Sequence, residues 1–176
     1  MDITNILGAL TDNDAVDAIA KNLKLDSKQV SSVITSALPS LLDAMQKNAS
    51  TQGGAESLAK ALGDHAGNAG NIISNLSGAD LTDGNKILSH IFGGNLSSII
   101  SGISKKSGVA NNSVGSILAA IAPSLLALLG KGQQKSGINA AGLAGMLGTI
   151  LSASSASSNS GGLGDLLGGL GKIFGK

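Results

Sequence analysis

The chain has 176 residues, enough for one ordinary domain or two small ones with a real core. It carries 12 Lys and no Arg against 11 Asp and Glu, a net charge of +1, and charged residues are 13%, about half the usual share. With no Cys, Trp or Tyr and only Phe92 and Phe174 aromatic, disulfide and thiol chemistry are excluded, and the core must be Leu, Ile, Val, Ala and Met, a set suited to helix-on-helix packing.

Residues 1–14, MDITNILGALTDND, are acidic and lack the basic start and unbroken apolar run of a signal peptide, so a cytoplasmic location is expected. A short opening helix is predicted over Ile3–Leu10 and a second over Ala15–Leu23. A long helix follows Asp26-Ser27, side chains able to cap its free N–H groups, with Asp26 and Gln29 spaced as a capping box. Along it Val30, Val33, Ile34, Ala37, Leu38, Leu41, Leu42 and Met45 recur at steps of three and four, one helical stripe that must be buried. A short helix at Glu56–Leu62 comes next. Asp64–Leu81 then adds the apolar set Ile72, Ile73 and Leu76, before a loop at Ser77–Asp83.

The pattern then returns. Short helices are predicted at Asn85–Phe92 and Ser97–Lys106, a long one capped by Asn111-Asn112, and a last one at Ala140–Leu151. The second long stripe is Val114, Ile117, Leu118, Ile121, Ala122, Leu125, Leu126 and Leu129. A shift of 84 positions aligns Val16–Met45 with Ile100–Leu129 without a gap, and Pro39-Ser40-Leu41-Leu42 meets Pro123-Ser124-Leu125-Leu126. A duplicated helical unit is the simplest explanation, with copies at residues 1–65 and 85–151 and a connector at 66–84. A mid-helix proline costs about 3 kcal/mol, so Pro39 and Pro123 each predict a kink or a fresh helix start. Leu38, Pro39, Leu41 and Leu42, with Ala122, Pro123, Leu125 and Leu126, are therefore candidates for the core or for a bent surface that wraps a partner.

Residues 152–162 are Ser- and Gly-rich and read as a flexible linker. The tail, residues 163–176, places Leu163, Leu166, Leu167, Leu170, Ile173 and Phe174 at helical spacing among glycines. Each glycine costs roughly 1 kcal/mol in a free helix, so the tail is expected to fold only when docked. One small pattern, apolar-x-x-apolar-apolar-Gly, recurs at Ile3–Gly8, Leu58–Gly63, Leu88–Gly93, Leu143–Gly148, Leu163–Gly168 and Leu170–Gly175. It describes a short helix closed by a left-handed glycine, so the tail imitates the folded repeats.

At LTDGNKILSHIFGGN, then ISKKSGVANNSVGSILAAIAPSLLALLGK, and finally GLGDLLGGLG, the chain resembles the YidB-like bacterial family, domain of unknown function 937. The likeness spans most of the chain and is clearest in residues 81–131. It implies a small multi-helical bacterial protein with no established activity and no functional residues to carry over.

Several patterns that carry chemistry elsewhere are set aside on physical grounds. Ile103–Leu118 has the small residue, turn glycine and apolar anchors of a helix-turn-helix in Ser104, Gly108, Val114 and Ile117. Its would-be recognition helix, Asn112–Leu118, has no positive charge, and DNA affinity needs several Lys or Arg on phosphate, so it is read as packing and no nucleic-acid partner is expected. His65 and His90 lack companions at metal-ligand spacing, and Asp80, Asp83 and Asn85 lack a calcium-loop pattern and read as a turn and helix cap. Ser57 and Lys60 match Ser-x-x-Lys without that enzyme class's companion motifs. The longest apolar run, Ile117–Leu129, is too short to span a bilayer, and the tail's lysines, Lys172 and Lys176, attract an anionic membrane surface only weakly.

The mean hydropathy of +0.27 implies apolar surface left over after folding, which marks partners or self-association. The sequence thus predicts an all-α protein of two tandem helical repeats with a flexible linker and an apolar C-terminal helix. Its expected role is non-catalytic and cofactor-free: a homo-oligomer or filament built through apolar helical surfaces, or else a binding module for another helical protein or the membrane surface.

Overall fold

The computed structural model describes residues 8–158, the side chains of Gln52, Ile150 and residues 153–158 excepted. The fold is all-α: among the described residues there are helices and short connections and no strand. Residues 8–11 are helical, and Leu10 within them is buried. Then come α1 (Asn13–Leu23), α2 (Ser27–Ala49), α3 (Gln52–Ala66), a 3-10 turn at Gly67–Gly70, α4 (Ile72–Ser77), α5 (Leu81–Phe92), a 3-10 turn at Gly93–Asn95, α6 (Leu96–Ser107), α7 (Asn111–Ser136) and α8 (Ala140–Ser158).

Local chemistry sets these boundaries. Asp12, Asp26, Thr51 and Asp80 each accept a backbone N–H in the first turn of α1, α2, α3 and α5, the Asp26 bond to Lys28 N being 2.7 Å. Lys24, Gly108 and Gly137 end α1, α6 and α7 in left-handed conformation. Asn111 and Asn112 do not cap α7 as expected. They lie within its first turn, and the cap position is Ala110, without a side-chain bond. The loop expected at Ser77–Asp83 is shorter, since Asp80 starts α5 at Leu81. Residues 152–158, expected as linker, continue α8.

The glycine pattern behaves differently from its sequence reading. Gly93 has a positive φ and ends α5, but Gly8, Gly63 and Gly148 lie inside helices. Glycine permits the left-handed turn and does not impose it, and beyond Gly63 the buried Ala66 keeps α3 wound for another turn.

Helix α7 is the axis of the molecule. α3 and α5 pack along it, with smaller contributions from α6, α2, α4 and α1. Between Asn111 and Lys131 it has no charged residue, and every residue from Ile117 to Gly130 is buried apart from the half-buried Pro123. Such all-round apolarity requires burial on every side. α2 is amphipathic by comparison: its stripe is buried, while Asp43 and Lys47 form a 2.7 Å ion pair on its outer side.

The two matching segments do not fold side by side. α2 and α7 begin 84 residues apart, at Ser27 and Asn111, as the sequence offset requires. The last helix of each segment crosses over: α3 packs on α7, and α8 leaves the Gly137 turn to pack on α2. A single core cluster therefore draws on both segments, from Leu10 to Leu147.

Both prolines lie inside continuous helices, so neither begins a new one. Each removes the N–H that would bond the carbonyl four residues back. For Pro39 that carbonyl belongs to Thr35, on the exposed side of α2 where water reaches it. For Pro123 it belongs to Ala119, which is fully buried, and there Gly84 of α5 lies directly against the freed oxygen. Gly130 makes a similar approach to the Leu62 carbonyl of α3. Two glycines thus bring α5 and α3 close to the central helix.

Candidate interaction groove and polar cavity

Of the eight candidate residues on the proline-containing helices, Leu38, Leu41, Leu42, Ala122, Leu125 and Leu126 are buried in the core. Pro39 is exposed and Pro123 half-buried. The sequence allowed these stripes to be core or partner surface, and within the chain α8 packs on α2 while α3 and α5 pack along α7. The tail candidates Leu163, Leu166, Leu167, Leu170, Ile173 and Phe174 lie outside the described residues. Among the described residues the one exposed large hydrophobic side chain is Ile73, at 50%.

A groove of about 410 Å³ runs between α3 and α5. Positions 57, 58, 60, 61 and 64 of α3 and 86, 87, 90 and 91 of α5 recur at helical spacing, so each helix gives one face to it. Leu58, Ala61, Ile87 and Ile91 form apolar walls, and Leu126 of α7 closes the floor. Lys60, Asp64 and Lys86 stand along it, and the His90 carbonyl is tied to α2 by the Asn48 Nδ2 donor at 3.2 Å. Ser57 and Lys60, the Ser-x-x-Lys pair, share this groove with His90, and among the described residues no hydrogen bond joins the three.

A second recess, about 250 Å³, lies where the C-terminal end of α3, the end of α4 and the start of α5 meet α7. His65, Asn75 and Asp83 are half-buried around it, Asp80 is exposed, and Ala120, Pro123 and Ser124 come from the central helix. Asp80 accepts Thr82 N at 2.8 Å and Asp83 N at 3.3 Å. Those two backbone bonds, helped weakly by the charge of Lys86, hold its carboxyl below the usual carboxylate value.

Ser124 is 2% exposed, and its hydroxyl is buried without a hydrogen-bond partner. A hydroxyl on a helix is able to turn back to the carbonyl four residues earlier. Thr35, Ser50, Ser77, Ser116, Thr149 and Ser152 all do so here, at 2.8–3.0 Å. Ser124 does not, although it lines the recess. In the sequence it stood out only as the repeat partner of Ser40. The available signal was a lone hydroxyl inside an otherwise apolar, all-buried run.

The structure brings His65 to the same recess as Asp80 and Asp83, although among the described residues no group of three acidic, His or Cys side chains is arranged to hold a metal ion. Asn85 lies on the other side of α5, facing α6 and the start of α7. α7 is longer than its apolar run suggested, and by length and composition it is able to cross a membrane; 78% of its most apolar stretch is buried inside the fold.

Residues 5–134 match the family described as bacterial protein of unknown function (DUF937), and the chain belongs to that family. No curated protein and no solved structure matches the sequence. The family match ends within the last turn of α7, so α8 and the tail lie beyond it.

Proposed function

We propose, taking membership of this bacterial family as the premise, that the protein is a non-catalytic, self-associating structural component, in which the tail of one copy docks on the body of another. The observation that carries the reading is the groove between α3 and α5. Its walls, Leu58, Ala61, Ile87 and Ile91, are apolar, and its charges are Lys60 and Lys86 on one hand and Asp64 on the other. The tail offers matching chemistry: a six-residue apolar set, with Asp165 to meet a lysine and Lys172 two turns later to meet Asp64. A groove of this volume takes two or three of the tail's side chains, and burial of each contributes roughly 1.5–3 kcal/mol, less the cost of ordering a glycine-rich segment. Head-to-tail contacts of this kind build open chains or rings rather than a closed dimer.

The test is light scattering after size exclusion, over a concentration series, on the full chain, on a chain ending at Ser158, and on full-length Ile87→Asp. Mass should grow with concentration for the full chain alone. Monomers throughout overturn the reading. Assembly that survives Ile87→Asp but not truncation keeps self-association and moves the docking site elsewhere. A full chain that stays monomeric yet binds a helical partner or vesicles favours a binding module instead.

A further inference from the structure

We propose that the face of α2 beneath α8 is an interface with a second copy of this chain, and that α8 is the element exchanged: it leaves its own α2 and packs on the α2 of a sister chain. Only Gly137, Ile138 and Asn139 separate α7 from α8. Gly137 holds a φ of +61°, the left-handed turn that folds α8 back on the body. The Ile138 and Gly137 amides close α7 by bonding the Gln133 and Gln134 carbonyls at 3.2 and 3.3 Å. So short a connection rests the reversal on one glycine, and straightening the chain there takes α8 off α2 as a unit.

The surface that α8 fits is already specified. α8 runs back along α2: Asn139, Ala140 and Ala144 share a recess with Ala49, Ser50 and Thr51, and Gly148 lies against the Gln46 side chain. Leu143 and Leu147 are fully buried, and Ala144, Met146 and Leu151 pack against the same core. α8 carries no charged residue, so moving it to another copy strips no ion pair. A sister chain's α8 meets the same atoms, which confines the cost of exchange to the joint and to association. The family match stops at residue 134, before α8, so the matched unit leaves this face of α2 without a cover of its own. A net charge of +1 opposes pairing little. Reciprocal exchange closes a two-fold pair, a contact separate from tail docking and not dependent on it.

The chain has no cysteine, so cross-linking reads the exchange directly. Gln46→Cys and Gly148→Cys are made in the full chain, together and singly. The double variant, oxidised at low concentration, should close within one chain. The two single variants are mixed, incubated over a concentration series and then oxidised. They should give a bridge from position 46 of one chain to position 148 of another, its yield rising with concentration. Mass spectrometry of the bridged peptides separates it from like-with-like bridges. Gly137→Ala should move the yield curve to about tenfold lower concentration, because an alanine in the left-handed turn strains the closed form alone. The proposal is overturned if the double variant closes within one chain while the mixture gives only like-with-like bridges or none. A yield curve that Gly137→Ala leaves in place overturns it as well. Tail docking brings no position 148 to another chain's position 46, so either contact fails without the other.

Discussion

Replacing Gly84 by Ala adds one methyl group at the closest approach of two helices. That methyl would overlap the Ala119 carbonyl oxygen and lie 2.5 Å from its carbon and 2.8 Å from Ala119 Cα. These are backbone atoms of the central helix, so no rotamer change relieves the overlap. Restoring ordinary carbon–carbon contact at ~3.5 Å requires α5 to withdraw by about 1 Å, and a gap of that size forfeits a quarter to a half of the dispersion energy across it. α5 contributes Leu88, Ile91 and Phe92 to the core. At about 2 kcal/mol each, losing a third of their packing costs ~2 kcal/mol. The contact between Gly84 and the carbonyl freed by Pro123 contributes another ~0.5–1 kcal/mol. Against these, Ala is about 1 kcal/mol better than Gly in a helix. The net expectation is destabilisation by about 2 kcal/mol, a fall in Tm of about 4–8 °C for a chain of this size. Thermal unfolding followed by circular dichroism measures it. Gly63→Ala is the control, since a methyl there meets nothing within 4 Å and should raise Tm. If Gly84→Ala matches Gly63→Ala in sign, the close approach is not what positions α5.

Gly130→Ala should behave like Gly84→Ala and loosen α3, because the added methyl would overlap the Leu62 oxygen and lie 3.1 Å from Ala66 Cβ. Amide exchange should then speed up in α3 before α5. Ser124→Ala should raise stability by about 1 kcal/mol in denaturant titration, because it removes a buried hydroxyl without a partner. The lowered pKa of Asp80 means that its contribution is present above the ordinary carboxylate value and disappears as pH falls through the lowered one. Asp80→Asn should therefore be less stable than the parent at neutral pH, and the difference should shrink on acidification below the ordinary carboxylate range.

Much of the fold was legible because it depends on period and capping. The stripes from Val30 to Met45 and from Val114 to Leu129, the cap Asp26, and the turn at Gly108 all act within a few residues of their own positions. What was less legible depends on neighbours distant in sequence. The two stripes looked equivalent, and only the absence of charge between Asn111 and Lys131 distinguished the helix surrounded by others from the one with Asp43 and Lys47 on its outer side. Gly84 and Gly130 look like any other glycines until α5 and α3 are seen against a carbonyl. The recess was harder still, since His65, Ser124 and Asp80 come from three elements, and only the fold brings them around one space. The groove residues Ile87 and Ile91 were visible as an apolar set without any sign that part of it stays open.

The crossing of α3 onto α7 and of α8 onto α2 has a consequence during synthesis. The stripe of α2 is complete once Ala49 has been made, but the helix that covers it includes Leu143 and Leu147, almost a hundred residues later. At ribosomal speeds of ~5–20 residues per second, that stripe stays uncovered for roughly 5–20 s. A nascent chain of this protein is thus stickier than the finished one, and a message truncated anywhere before α8 yields a product with an open α2 face, suited to capturing the equivalent helix of a sister chain.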